Sequence, residues 1–250
     1  MAKEKEGMIA GIFKGVLGGL IKDLLKDAAK RTPSFVKSLK SWWYGKTIAI
    51  IGPTASGKNS MFSRIKKEQP PAEYIQTRGA DEVGDFKFSW RLGDGSPVEF
   101  NCKKSINVGG EHDERDRVWA QACAGADVIF YLVDIKQLKE EPSSTLDRIR
   151  GDFRWMAEKF RDFKAGVVVQ ILMNKVDELD FTGSLEDQRQ HILDVLKDES
   201  DRIHDIARKI LGARSASIVG ISPISMIDDY LFDVFFVDVL STVFSKVNQK

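Results

Sequence analysis

Residues Thr47 to Ile51 (TIAII) run without a spacer into Gly52-Pro53-Thr54-Ala55-Ser56-Gly57-Lys58. A short run that is apolar on both alternate faces has no side to give to water, so it belongs in a parallel sheet covered on both sides. The pattern Gly-x4-Gly-Lys after such a strand, with a helix expected to start near Lys58, is the context in which a loop binds phosphate. Glycines let the backbone curl so that successive N–H groups point inward. The helix that follows adds about half a positive charge at its start. Lys58 would reach the β- and γ-phosphates of a nucleotide. The competing reading is a glycine-rich turn with no ligand.

The rest of the body alternates in the same way. Phe86, Phe88 and Trp90 alternate, Gly93-Asp94-Gly95 turns the chain, and Val98, Phe100 and Cys102 alternate again, a hairpin pattern. DVIFYLV at 127–133 and VVVQILM at 167–173 are further buried strands, and 216–221 is the last. Polar–apolar helical segments cover about 143–163, 185–211 and 226–247; the many charges of the first two read as solvated faces. Strands separated by helices predict an α/β fold with a doubly wound, mostly parallel sheet. The expected division is an arm at 1–45, made of a basic amphipathic helix and a linker, and a nucleotide-binding domain at 46–250. Two cysteines, Cys102 and Cys123, imply no disulfide framework.

A second motif follows the strand 167–173: Asn174-Lys175-Val176-Asp177. A carboxylate at Asp177 accepts two hydrogen bonds from guanine, at N1–H and the exocyclic amine. Adenine lacks that donor pair. At the carboxyl end of a buried strand, where open α/β sheets bind their ligands, this spacing reads guanine over adenine. An ordinary polar strand-to-helix turn is the alternative.

The two motifs in this order resemble the Ras-like small GTPases over about residues 45–247, and most of all their Arf-like and bacterial Arf-related members. Arf proteins carry Asp-Val-Gly-Gly-Gln where this chain has Asn107-Val108-Gly109-Gly110-Glu111. The resemblance implies a P-loop, Ras-like G domain that binds GTP and GDP with Mg²⁺ and acts as a GTP-hydrolysing switch. It implies that Gly52 to Lys58, with Asn59 and Ser60, hold phosphate, that Gly110 senses the γ-phosphate, and that Asn174, Lys175 and Asp177 hold guanine. Ser222-Pro223-Ile224 matches the loop that lies against the base, and Thr77 (in Gln76-Thr77-Arg78-Gly79) matches the threonine of the first switch. Three positions depart from the pattern. The hydroxyl ligand of Mg²⁺ after the loop lysine is Asn59, with Ser60 one place late and about 100° further round the helix. The metal-side aspartate is Asn107, which removes a charge that a hard cation prefers. The glutamine that places the attacking water is Glu111, and the neighbouring His112 is the other candidate for that role. Asn59 also resembles the exchange used to trap such proteins in a GDP-bound or empty state. Thr77, Asn59 and Asn107 are thus the expected metal neighbours, with Mg²⁺ binding and GTP loading weakened.

The net charge of +1 argues against a nucleic-acid partner but hides an asymmetry. Residues 1–46 hold ten Lys/Arg against four acids, a balance of +6 that leaves −5 for the remainder. Ile9, Ile12, Phe13, Val16, Leu17, Leu20, Ile21, Leu24 and Leu25 form one apolar stripe of an amphipathic helix at 8–29. Residues 8–44 therefore read as an arm for an anionic membrane surface or a protein partner, with Trp42-Trp43-Tyr44 at the interface. Packing of the stripe on the body is the alternative. No run reaches the ~18 apolar residues of a membrane span and no signal peptide is evident, so the expected location is cytoplasmic, peripheral on the membrane face. Two rival functions remain. One is a nucleotide-gated scaffold with little hydrolysis, because of Asn59 and Asn107. The other is an ATPase or kinase of the phosphate-loop class.

Overall fold

The computed structural model of the protein describes residues 33–66, 80–83, 86–91, 97–108 and 115–248. The expected helix at 8–29, the turn at 93–95, Thr77 and Gly109 to His112 lie outside the described residues.

Among the described residues seven strands form one sheet in the order β2-β4-β1-β5-β6-β7, with β3 also on β4. Their ranges are β1 (Lys46–Ile51), β2 (Ala80–Val83), β3 (Phe86–Arg91), β4 (Pro97–Val108), β5 (Val128–Asp134), β6 (Val168–Asn174) and β7 (Ile218–Pro223). The pairs β4–β1, β1–β5, β5–β6 and β6–β7 are parallel. β3 and β2 lie antiparallel to the first and last parts of β4. The expected hairpin is therefore present, but its second strand runs on from Cys102 to Val108 because it pairs with β1 as well. β2 was not foreseen.

Alternation sorts the core into two halves. Ala49, Ile51, Ile129, Tyr131, Val133, Val169 and Ile171 face one side. There they pack against α3 (Ala120–Ala124), α5 (Pro142–Lys159) and α7 (Lys197–Leu211). Ile48, Ile50, Val128, Phe130, Leu132, Val168 and Leu172 face the other, under α1 (Pro33–Trp43), α2 (Lys58–Lys66) and α8 (Asp229–Asn248). Both faces are covered by helices, which is why the central strands are wholly apolar. The α8 helix contributes to both halves, with Leu231 and Phe235 in one and Phe236 and Leu240 in the other. Two short helices complete the sequence of elements, α4 (Ile135–Glu140) and α6 (Leu185–Val195). The segment expected as one helix at 185–211 is thus two, broken at the buried Leu196. Acids at Asp198 and Glu199 suit the first turn of the second helix.

One polar network is buried with the first half. Asp152 of α5 is fully buried and accepts from Tyr131 Oη at 2.8 Å, Arg115 Nη1 at 2.8 Å and Arg148 Nε at 3.0 Å. Burial pushes its carboxyl above the usual range, and the two guanidinium groups oppose that shift. The contact ties the π-helical turn Arg115–Trp119 to α5. Cys123 is a free, buried thiol whose pKa burial raises.

The stretch ending in Trp42-Trp43-Tyr44 needs correction. It is not an open linker but α1, with Pro33 at its start where a missing N–H costs nothing. Leu39 and Trp43, one helical turn apart, are buried in the body. The Trp43 ring lies 6.5 Å from that of Phe130, and its indole N–H donates to the Leu240 carbonyl at 3.4 Å. Trp42 packs edge-on to Phe244 and under Lys46 Nζ. Only Tyr44 of the three is largely exposed, at 67%. Trp43 is thus core and unavailable to a lipid surface. Trp43→Ala should destabilise the protein by about 3–5 kcal/mol in urea unfolding; a change below about 1 kcal/mol, the usual range for exposed sites, would contradict this placement.

Candidate functional site

Because the five strands from β4 to β7 are parallel, their carboxyl ends share one edge. β1 lies between β4 and β5, reached by connections that run in opposite directions, so a crevice opens at the end of β1. The loop Gly52–Lys58 occupies that crevice. Three of its residues have positive φ: Gly52 at 147°, Ala55 at 63° and Gly57 at 97°. A Cβ on Gly52 would sit 2.5 Å from the Leu132 carbonyl of β5, and one on Gly57 would collide with the Asn174 amide. Both glycines are therefore required by close approach as well as by conformation. Ala55 accepts the left-handed region at an exposed position. Lys58 is only 7% exposed, and its ammonium donates to the carbonyls of Gly52 at 3.1 Å and Pro53 at 2.8 Å. Its charge is folded over the loop it follows.

The second motif meets the first. Asn174, the last residue of β6, is buried and donates its amide to the Ser56 carbonyl at 2.9 Å. The next residue, Lys175, turns the chain in the left-handed region at φ 71°, and a 3₁₀ turn, Val176–Glu178, carries Asp177. Lys175 Nζ lies 2.5 Å from Asp134 at the end of β5, and Lys136 Nζ lies 2.7 Å from Glu178. Three side-chain oxygens here are buried with no hydrogen-bond partner: Ser56 Oγ, Asn174 Oδ1 and Asp177 Oδ1. An unpartnered buried polar atom costs about 1–3 kcal/mol, so these three oxygens are acceptors that a polar donor at this edge would satisfy.

The other expected residues fall as follows. Thr54 and Pro53 line the loop, half-buried, and Asn59 and Ser60 form the half-buried first turn of α2. Asn107 lies on β4, beside Ile50 of β1 and opposite Asp81 of β2. Thr77, Gly110, Glu111 and His112 are outside the described residues. The expected metal neighbours that are described, Asn59 and Asn107, are both neutral amides, and among the described residues no group of three His, Cys, Asp or Glu gathers. Neither amide brings the negative charge of the carboxylate and phosphate oxygens that Mg²⁺ favours.

Ser222 and Pro223 are not loop residues. They are the last pair of β7, opposite Leu172 and Met173, and Ser222 Oγ accepts from Gln170 Nε2 at 3.0 Å within the sheet. The loop that abuts Asn174–Asp177 comes just after them. Ile224 N–H donates to Met173 at 2.9 Å, and its carbonyl accepts from Val176 N–H at 3.5 Å. Ser225, fully buried, folds that loop by accepting from the N–H groups of Ile227 at 3.3 Å and Asp228 at 2.9 Å. Arg64 of α2 clamps it from the other side, with Nε on the Met226 carbonyl at 2.5 Å, Nη2 on the Ile227 carbonyl at 2.6 Å and an ion pair to Asp229. Sequence reading missed Asp134, Ser225 and Arg64. Only Asp134 left a local signal, a carboxylate closing an apolar strand.

No protein-family model matches the chain, and no curated protein matches it.

Gly57→Ala should destabilise the protein by about 1–3 kcal/mol in urea unfolding, since the added methyl meets Asn174 and the residue must hold a strained φ. In an Asn174→Ala background the collision is gone and the strain remains, so Gly57→Ala should cost less there than in wild type. An unaltered Gly57→Ala midpoint would contradict the loop geometry.

Proposed function

We propose that this chain is a guanine-nucleotide-binding switch of the P-loop, Ras-like kind, with phosphates held by Gly52 to Lys58 and the base held by Asn174, Lys175 and Asp177. The observation that carries the reading is the unpartnered, buried carboxylate oxygen of Asp177 beside the phosphate-type loop. A guanine ring supplies adjacent N1–H and amine donors to such a carboxylate, and adenine has no such pair. The buried hydroxyl of Ser56 and the Oδ1 of Asn174 add polar partners along the same crevice. The strand order, with β1 between β4 and β5, supports the same reading through the position of the crevice.

In this site Lys58 and the start of α2 supply positive charge to a polyphosphate, the part of phosphoryl transfer that positioning and charge provide. On the metal side Asn59 and Asn107 are amides where a metal site needs hydroxyl or carboxylate oxygen. That observation favours a second reading, a nucleotide-gated scaffold with little turnover. In both, residues preceding α1 carry a basic arm for an anionic membrane surface or a partner. Among the described residues no helix is long and apolar enough to cross a membrane.

Asp177→Asn exchanges an acceptor for a donor. GTP affinity should fall roughly 100-fold, the worth of two hydrogen bonds to a charged group. Xanthosine triphosphate, which has a carbonyl in place of the guanine amine, should gain. Competition against a fluorescent GDP derivative measures both, and an unchanged GTP affinity would overturn the assignment of Asp177.

A further inference from the structure

The turn that would read the base is fastened to the neighbouring strand by two ion pairs that cross between the same two segments. Lys175 Nζ meets Asp134 Oδ2 at 2.5 Å, and Lys136 Nζ meets Glu178 Oε2 at 2.7 Å. The two are unequal. The Lys136 side chain is about half exposed, so its pair is open to solvent and weak. The Asp134 side chain is 7% exposed, and the residue stands directly beside Asn174 in the β5–β6 ladder. Its other oxygen, Oδ1, accepts from the Gln137 N–H at 3.1 Å and so caps α4. One buried carboxylate thereby ends β5, starts α4 and holds the lysine of the adjacent loop.

Lys175 needs holding. It is one of two non-glycine residues with positive φ among those described, and the left-handed conformation is disfavoured for an L side chain unless its surroundings impose it. That conformation turns the chain between Asn174, which grips the phosphate loop, and Asp177, whose buried oxygen lacks a partner. We infer that Asp134 is a positioning residue for nucleotide binding: by pairing with Lys175 it holds the Asn174–Asp177 turn in its left-handed form, so that the base is met by a preset surface. The inference rests on the guanine-nucleotide reading of this site. Asp134 touches neither phosphate loop nor base in this account, and acts through Lys175 alone.

The two duties of Asp134 separate by substitution. Asparagine caps a helix as well as aspartate does, so Asp134→Asn keeps the bond from Gln137 and removes the charge that holds Lys175. Release of a fluorescent GDP derivative from the full chain is measured for wild type, Asp134→Asn, Lys175→Met and the double variant, with thermal melting of each nucleotide-free protein. The expected result is about five- to tenfold faster release for Asp134→Asn, the upper range for an ion pair whose lysine is partly exposed. Melting of Asp134→Asn should match wild type, and the double variant should release no faster than Lys175→Met alone. That non-additivity is the sign that Asp134 works through Lys175, and a general loosening of the fold would not produce it. Release within twofold of wild type for Asp134→Asn, or losses that multiply in the double variant, overturns the inference while leaving the nucleotide site standing. If wild type retains no guanine nucleotide at all, the reading of the site fails and the inference falls with it.

Discussion

β1 pairs in parallel with β4 on one side and β5 on the other, and β5 pairs in parallel with β6. That arrangement forces the carboxyl ends of all these strands to one edge and covers both faces of each with helices. Ile48 and Ile50 look one way and Ala49 and Ile51 the other, and all four are fully buried. With no polar face to expose, β1 ends abruptly in a loop whose backbone approaches β5 so closely that Gly52 has no room for a side chain. The crevice above β1 follows from the pairing.

What happens in that crevice depends on the meeting of two loops. The Asn174 amide on the Ser56 carbonyl and the space that Gly57 leaves for that amide make one surface of two segments far apart in the chain. Around it the protein spends polar groups without satisfying them: Ser56 Oγ, Asn174 Oδ1 and Asp177 Oδ1 are buried and unpartnered. On either side the scaffold is firm. Arg64 joins α2 to the Met226–Asp229 segment, and Asp134 joins β5 to Lys175. These unpartnered oxygens thus lie between loops that the scaffold holds in place.

Much of this was legible in the residues. The central strands were found because burial on both faces leaves an unbroken apolar run, and the loop was found because glycine at fixed spacing marks backbone that must curl. The Asn174 motif was found because it follows such a strand directly. The features that escaped depend on contacts distant in sequence. The stretch of α1 was read as part of the arm because its basic and aromatic residues suit an interface, yet Leu39 and Trp43 join Phe130 and Leu240 in the core only in the fold. Ser222 and Pro223 were read as loop by matching them to the base-side loop of the Ras-like pattern, whereas a strand on the sheet's edge tolerates proline at its last position. Arg64 and Ser225 carry no local pattern, and the break at Leu196 is invisible in a helical periodicity that continues through it.

The central claim is that this crevice takes a guanine nucleotide. Its most direct test is calorimetric titration of the full chain with GDP and, separately, ADP, each with and without Mg²⁺. The account predicts that GDP binds in both conditions with little help from the metal, and that ADP binds at least roughly 100-fold more weakly, since it offers Asp177 no donor pair. Equal binding of the two nucleotides, or no binding of GDP, would contradict it.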